Sequence, residues 1–503
     1  MTSVDSVGQV PAESTAEQPA ASDPRRWWAL AVIAVAQLMV VLDASIVNIA
    51  LPSAQADLNI SDANRQWVLT AYALAFGALL LLGGRIADYT GRKRIFLIGL
   101  IGFAGASALG GAAVNDLMLF GARGLQGLFA ALLAPAALSL LQVSFTDAKE
   151  RARAFGVYGA VSGTGAAIGL ILGGVLTEYL NWRWTLLVNV PIAILAAVAA
   201  VSVVRESKAH GDTRYDVPGA VLVSGGLAAL VYGFTQAAEA ADGWSATSTI
   251  TWLVVSAVLL VGFVVWETRT HHPLLPLRVV LDRNRGAAFA SSLLIGAGLF
   301  AMFLFLTYYF QQNLGYSAIK SGFAFLPFSA GIIVAATVAS SLMPKVNPRV
   351  LLVVGGAMAT GGLALLTQIE ADSSWLTLVL PAEILISLGM GLYFVVSASV
   401  ALAGVEEHDA GVASAMLNTS QQIGGALGIA LLNTFFASTV TDWLAEHMGS
   451  GSPEQLAAQA SIQGYHVAFW IGAGFIGAAT LIVLALVNAR SKDLSTEGMV
   501  HAG

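Results

Sequence analysis

Gly84-Arg85-Ile86-Ala87-Asp88-Tyr89-Thr90-Gly91-Arg92-Lys93-Arg94 is a polar turn set between two apolar runs. Its glycines have separate uses: Gly84 permits close helix approach, and Gly91 supplies a tight turn. Asp88 can pair with a basic neighbour or meet a helix amino terminus. The basic residues around it do not enter lipid readily, so the turn marks a membrane surface. Apolar runs of roughly 20 residues flank it and recur along the chain, the length a helix needs to cross a hydrocarbon core about 30 Å thick.

Composition points the same way. Of 503 residues, 57% are hydrophobic and 11% charged, and the mean hydropathy is +0.75, a balance that belongs in lipid rather than water. The absence of cysteine excludes disulfides, iron-sulfur clusters and thiolate metal sites, and the seven His form no spaced ligand set. No Gly-Lys precedes a Ser or Thr, so there is no Walker A loop for a nucleotide. Neither metal nor cofactor is expected, and a pump of this composition must run on an ion gradient. The net charge of −6 resides mostly in loops and implies no nucleic-acid partner. No catalytic constellation stands near an interface, so an enzyme is not expected.

The expected fold is all-α, a polytopic membrane protein of fourteen transmembrane helices. With the amino terminus cytoplasmic, Arg65, Arg183 and Lys320 are the only basic residues on the outer side of the 24 Lys and Arg, and Arg123 alone falls within a span. That asymmetry puts both termini in the cytoplasm of a bacterial cell, with the chain in the cytoplasmic membrane. A faint repeat sets Leu58, Ser61, Trp67 and Tyr72 at one constant offset before Leu314, Ser317, Phe323 and Phe328. The organisation read from it is a disordered tail over 1–26, a six-helix bundle over 27–204, a linker with two spans over 205–285, a second bundle over 286–488 and a tail over 489–503. At the same offset from the 84–94 turn stand Ser340, Pro344 and Asn347, so the turn occurs in the first half only.

The 84–94 stretch resembles the signature loop of the major facilitator superfamily, Gly-x-x-x-Asp-x-x-Gly-Arg-(Arg/Lys)-Arg. Leu42-Asp43-Ala44-Ser45-Ile46-Val47-Asn48-Ile49-Ala50-Leu51-Pro52 is similar to the first-helix motif of its fourteen-span drug:proton antiporters of the QacA/EmrB type. Arg123-Gly124-Leu125-Gln126-Gly127 matches their Arg-x-x-Gln-Gly motif. Gly165, Gly169, Gly173 and Gly174 match the antiporter glycine motif, with Leu170 where Pro is usual. Asn181-Trp182-Arg183-Trp184, Asn189-Val190-Pro191, Tyr215-Asp216-Val217-Pro218-Gly219 and Gly411-Val412-Ala413-Ser414 extend the likeness over most of residues 27–440. The resemblance implies two bundles rocking about a midplane cavity, with Gly84, Asp88, Gly91, Arg92, Lys93 and Arg94 as a latch between them. It also implies export of a small-molecule drug or antibiotic in exchange for protons. The family includes self-resistance exporters of antibiotic-producing actinobacteria, puromycin-type exporters among them, and the Ala, Gly, Val and Leu bias with few Lys suits such a source.

Three residues carry the expected proton coupling. Asp43 lies well inside an apolar helix, where a charge costs at least about 2.5 kcal/mol, so burial favours protonation unless a cation holds it ionised. Arg123 is its obvious partner. Glu383 is the other acid placed within a span, opposite Gly127 by the repeat offset, and is read as facing the cavity to take a second proton or a cationic substrate. Asn48, Tyr72, Gln126, Phe303, Tyr308, Gln312, Tyr393, Asn418 and Gln422 are the candidates for lining the cavity. The proton is the only coupling ion expected, lipid the surrounding partner, and a monomer the working unit. An importer of a small metabolite would share the Asp88 turn but not the glycine face.

Overall fold

The computed structural model describes residues 25–145, 147–208, 216–239, 242–271, 273–275, 277–405, 410–448 and 451–489. The expected tails, 1–26 and 489–503, fall outside the described residues except at Arg25, Arg26 and Ala489, as does Tyr215. Among the described residues there is no strand, and fourteen helices are long and apolar enough to cross a membrane. They are α1 (Arg26–Leu58), α2 (Trp67–Thr90), α3 (Arg92–Gly111), α4 (Asp116–Ser144), α5 (Arg153–Tyr179), α6 (Trp184–Val203), α7 (Val217–Glu239), α8 (Thr247–Arg269), α9 (Arg283–Asn313), α10 (Ala318–Leu342), α11 (Pro348–Leu366), α12 (Trp375–Leu402), α13 (Val412–Glu446) and α14 (Pro453–Leu486).

Polar caps open several of these helices where hydropathy alone gives no edge. Asn115 accepts from Met118 N at the start of α4, Asp282 from Asn284 N and Arg285 N at α9, and Ser317 from Lys320 N at α10. Ser452 caps α14 with Pro453 at its first position, so that helix begins well before its apolar run. Pro52 lies inside α1 and Pro135 inside α4. Such prolines are tolerated in membrane helices because neighbours re-satisfy the freed carbonyls.

Within the first half α2 packs on α4, α3 on α4 and α6, and α1 on α5 and α6; within the second, α9 packs on α13 and α14, and α12 on α10 and α11. The halves meet along two seams, α2 against α13 and α5 against α10. The α7–α8 hairpin sits over the first seam: α7 contacts both α2 and α13, through Gln66 Nε2 donating to Thr235 Oγ1 (2.9 Å) and Thr434 Oγ1 donating to Phe234 O (2.9 Å). Its partner α8 turns Ile250, Val254, Val258, Val261 and Val264 outward, an apolar face suited to lipid.

The backbone explains why small residues stand at the crossings. A Cβ on Gly83 would strike the Ala131 backbone, whereas one on Gly84 would rest 3.4 Å from Pro135 Cβ in ordinary contact. The close approach read for Gly84 therefore belongs to Gly83. Gly91 does carry the turn, at φ +130°, a conformation that favours glycine.

Candidate functional site

Asp43 is completely buried and Arg123 is 1% exposed. Arg123 Nη1 donates to Asp43 Oδ2 at 2.6 Å. The other carboxylate oxygen accepts from Gln126 Nε2 (2.9 Å) and from Asn189 Nδ2 (2.8 Å). Arg123 is held in turn by Nε donating to Val68 O (2.8 Å), by Gln126 Oε1 (2.8 Å), and by the Tyr72 ring, whose centroid lies 4.5 Å from the guanidinium carbon. Gln126 Nε2 also donates to Ser107 Oγ (2.7 Å). Five helices, α1, α2, α3, α4 and α6, thus converge on one carboxylate. Its three donors suit an ionised acid, and they meet the requirement that a buried charge be paired and hydrogen-bonded.

Tyr72 and Gln126, read from the sequence as cavity candidates, are joined to this network. Asn189 and Ser107 are the members that sequence reasoning missed. Asn189 belongs to a motif, but nothing in the chain shows that it reaches α1; Ser107 carries no signal at all.

The glycine face of α5 is seated on the same turn of α1. A Cβ at Gly165 would lie 3.0 Å from Val41, one at Gly169 would collide with Ser45 Oγ and come within 3.1 Å of Leu42 O, and one at Gly173 would lie 2.8 Å from Ile46 O. The backbone of α5 therefore touches α1 on both sides of Asp43. Gly174 faces elsewhere, with Ile319 Cα of α10 only 2.6 Å from where its Cβ would stand. Leu170 turns its carbonyl toward Gly322 of α10, so the residue that replaces the motif's proline lies at the seam between the halves.

Apart from Arg85, whose Nη2 donates to Pro273 O (3.5 Å) beyond α8, the 84–94 turn is tied within its own half. Arg92 Nε donates to Asp88 Oδ1 at 2.7 Å, while Glu206, beyond α6, accepts from Lys93 N (3.0 Å) and Arg94 N (3.1 Å) at the amino terminus of α3. The carboxylate that meets a helix amino terminus here is thus Glu206, and Asp88 takes the basic neighbour. Arg94 itself contributes its amide, and Lys93 Nζ donates to Val201 O (2.7 Å).

The halves are fastened to each other at the end remote from this turn. Arg65, 2% exposed, donates from Nε to Asn433 Oδ1 (3.1 Å) and stacks on Tyr308 and Phe436, at 4.1 and 4.9 Å from their ring centroids. Asn433 Nδ2 donates back to Asp62 O (2.7 Å), Tyr308 Oη donates to Gln55 Oε1, and Gln311 Nε2 donates to Ile49 O (2.9 Å). Glu178 Oε2 accepts from Ile319 N (3.0 Å) on the second seam. Tyr308 is therefore part of a closure between halves, not a free cavity residue.

The remaining candidates are scattered. Glu383 is completely buried on α12, and neither carboxylate oxygen has a hydrogen-bond partner; it is neither solvated nor joined to the Asp43 network. Tyr393 is likewise completely buried. Phe303 packs on Phe325 and Phe328, and Gln422 rests against Gly77. Asn48 and Asn418 donate to carbonyls of their own helices, and Gln312 is exposed in the π-helical turn Tyr309–Asn313.

The sequence pattern of the Major Facilitator Superfamily matches residues 33–429. The puromycin resistance protein of Streptomyces alboniger is 48% identical over 98% of this chain and 97% of its own length. The cephamycin export protein of Amycolatopsis lactamdurans is 38% identical over 94% of each, and the lincomycin resistance protein of Streptomyces lincolnensis 35% identical over 84% of this chain and 86% of its own. Among solved structures, a bacterial homologue of the human lysosomal transporter Spinster superposes with a TM-score of 0.66 at 15% identity, over 94% of this chain and 98% of that one. That likeness concerns the fold. With its fourteen apolar helices the protein is a multi-pass protein of a bacterial membrane, and the chain belongs to the major facilitator superfamily.

Proposed function

We propose that this protein exports a small-molecule drug or antibiotic across the cytoplasmic membrane by alternating access, driven by protons entering in exchange, and so confers resistance. The observation that supports it best is the Asp43 network: an acid fully buried in an apolar bundle, held by Arg123, Gln126 and Asn189. A buried acid that exchanges its proton only when the helices around it move is what coupling requires. Relatives named for puromycin resistance and cephamycin export favour an antibiotic as the substrate. No cofactor enters the reading; the proton is the coupling ion, and the working unit is a monomer in lipid.

In this reading both termini and the 84–94 turn are cytoplasmic. The seam closed by Arg65, Asn433 and Tyr308 is then the outer one, and its contacts belong to a state shut to the outside. Asp88 and Arg92, paired within their own loop, are the latch that would reach the second half when the cytoplasmic side shuts. Glu383, buried without a partner, is the candidate for a second proton. Roughly 100 mV moves one charge with about 2.3 kcal/mol, which at about 1.4 kcal/mol per decade sustains gradients of roughly 40-fold.

Drug accumulation in inside-out vesicles tests the reading. Uptake should need a proton gradient and collapse with a protonophore in wild type, with Asp43→Asn inactive and Glu383→Gln changing the number of protons moved per drug. Uptake indifferent to the protonophore would overturn proton coupling. Gradient-driven movement in the opposite direction would instead support an importer.

A further inference from the structure

The inserted hairpin carries two carboxyl groups that the transport mechanism does not use. Asp216 stands immediately before α7 and Glu267 in the last turn of α8, 7% and 5% exposed. Asp216 is well supplied with donors: Oδ1 accepts from Gly219 N (2.9 Å) and Trp266 Nε1 (2.7 Å), and Oδ2 accepts from Leu274 N (3.3 Å). Glu267 Oε2 accepts from Leu275 N (2.9 Å), but Oε1 is buried without a donor.

That orphan oxygen and Asp216 Oδ2 both border Gly219, where a Cβ would lie 2.9 Å from Glu267 Oε1 and collide with Asp216 Oδ2. Only glycine leaves room for the pair. Two carboxylates can only accept, and as neighbours in a pocket sheltered from water they repel; one proton between them turns the contact into a bond.

We propose that Asp216 and Glu267 form a proton-binding site apart from Asp43 and Glu383, one proton shared by two carboxyl groups, which fastens the segment 273–275 to the inserted hairpin. The segment belongs to the connection from α8 to the second half. It also receives Arg85 of the signature turn, whose Nη2 lies 3.5 Å from Pro273 O. When the shared proton leaves, the least costly relief is for Glu267 to swing toward water, which frees Leu275 N and leaves the segment on Asp216 alone. Among the described residues, the neighbouring elements also carry Arg85, acting through Pro273, and the exposed Arg269, His271 and Arg278; α7 itself offers Tyr232 and Glu239, toward its opposite end. The site stands whether or not Asp43 couples transport.

Hydrogen exchange at Leu274 and Leu275 in the purified full chain, corrected for the intrinsic pH dependence of amides, tests it. In wild type the protection of Leu275 should fall about tenfold for each pH unit above the titration of the pair, the slope of one linked proton. In Glu267→Gln the amide donates to Asp216 at any pH while its oxygen still accepts from Leu275 N, so protection should stay flat. Asp216→Asn supplies the same test if Glu267→Gln does not fold. A flat wild-type profile, or a folded variant that titrates as wild type does, overturns the proposal.

Discussion

Asp43 and Arg123 are bound so tightly to each other and to three neighbours that either can be altered only with a large consequence. Removing one partner of a buried pair leaves the other charge uncompensated, at about 3–5 kcal/mol. Asp43→Asn keeps the shape but cannot take up a proton and leaves Arg123 without its counter-charge, so stability should fall by about that amount while drug-driven proton movement in proteoliposomes, at matched protein, falls to background. Persistent proton movement would remove Asp43 from the coupling role. For Arg123→Ala the sign follows from the same geometry: without the cation the neutral acid is favoured, so proton release becomes slow and efflux should recover as the cytoplasmic side is made alkaline. Arg123→Lys should keep part of the activity, since charge survives without the planar fork that reaches Asp43, Gln126 and Val68 together. Efflux against internal pH at fixed membrane potential reads both variants, and a uniformly reduced profile for Arg123→Ala would assign Arg123 to packing alone.

Among the helices, the α1–α5 contact is the one where small side chains matter most. Gly169→Ala places a methyl group against Ser45 Oγ and 3.1 Å from Leu42 O, so Ser45 must turn away from its bonds to Val41 O and Leu42 O and α5 must ease off the turn that carries Asp43; overpacking of this kind costs about 1–3 kcal/mol. Gly159→Ala, on the same helix with nothing within 4 Å of the added Cβ, should be neutral or slightly stabilising. Thermal unfolding in detergent should separate them, with Gly169→Ala lowered and Gly159→Ala unchanged or raised; equal midpoints would mean that α5 is not seated on α1. Gly91→Val in the signature turn meets a different obstacle. The backbone there is at φ +130° and the Glu206 carboxylate lies 3.0 Å from the added Cβ, so the cap on α3 loosens. Turnover should drop while drug affinity stays within a few-fold in equilibrium binding; lost affinity with unchanged turnover would contradict a conformational role.

Under the proposed alternating access the whole molecule balances two ways of joining its halves, and Arg65 weights one of them. Its stacking on Tyr308 and Phe436 is a buried cation–π contact, of about 2 kcal/mol when desolvated, with an added hydrogen bond to Asn433. Because the chain has no cysteine, spin labels can be introduced at Glu178→Cys and Ile319→Cys, whose parent residues meet across the second seam. Adding Arg65→Ala should shift the label-to-label distances toward a longer population, by roughly tenfold or more in the equilibrium between closed and open. An unchanged distribution would show that Arg65 is not part of the outer closure.

What the sequence determined by itself is what depends on local chemistry. Span-length apolar runs fix the number of membrane helices, because lipid leaves a backbone no other partner for its hydrogen bonds. Arg123, the one base inside such runs, calls for an acidic partner there, although Asp43 and Glu383 both lie within spans and only the packing chose between them. Gly91 was legible because a turn of its conformation admits few other residues. The early start of α14 was not, because Ser452 and Pro453 precede a polar stretch that hydropathy does not recognise.

Tertiary structure alone decided which residues of different helices share a space. Asn189 and Ser107 are ordinary polar residues until α6 and α3 bring them to Asp43 and Gln126. Tyr72 and Gln126 join the ion pair, and the tight crossing uses Gly83 instead of Gly84, because helix rotation rather than composition sets which face meets a neighbour. Arg65 looks like a loop residue in the sequence, and becomes a fastener only because Asn433, Tyr308 and Phe436 arrive from the other half. Such contacts join residues hundreds of positions apart, and their energy exists only once the bundles have packed.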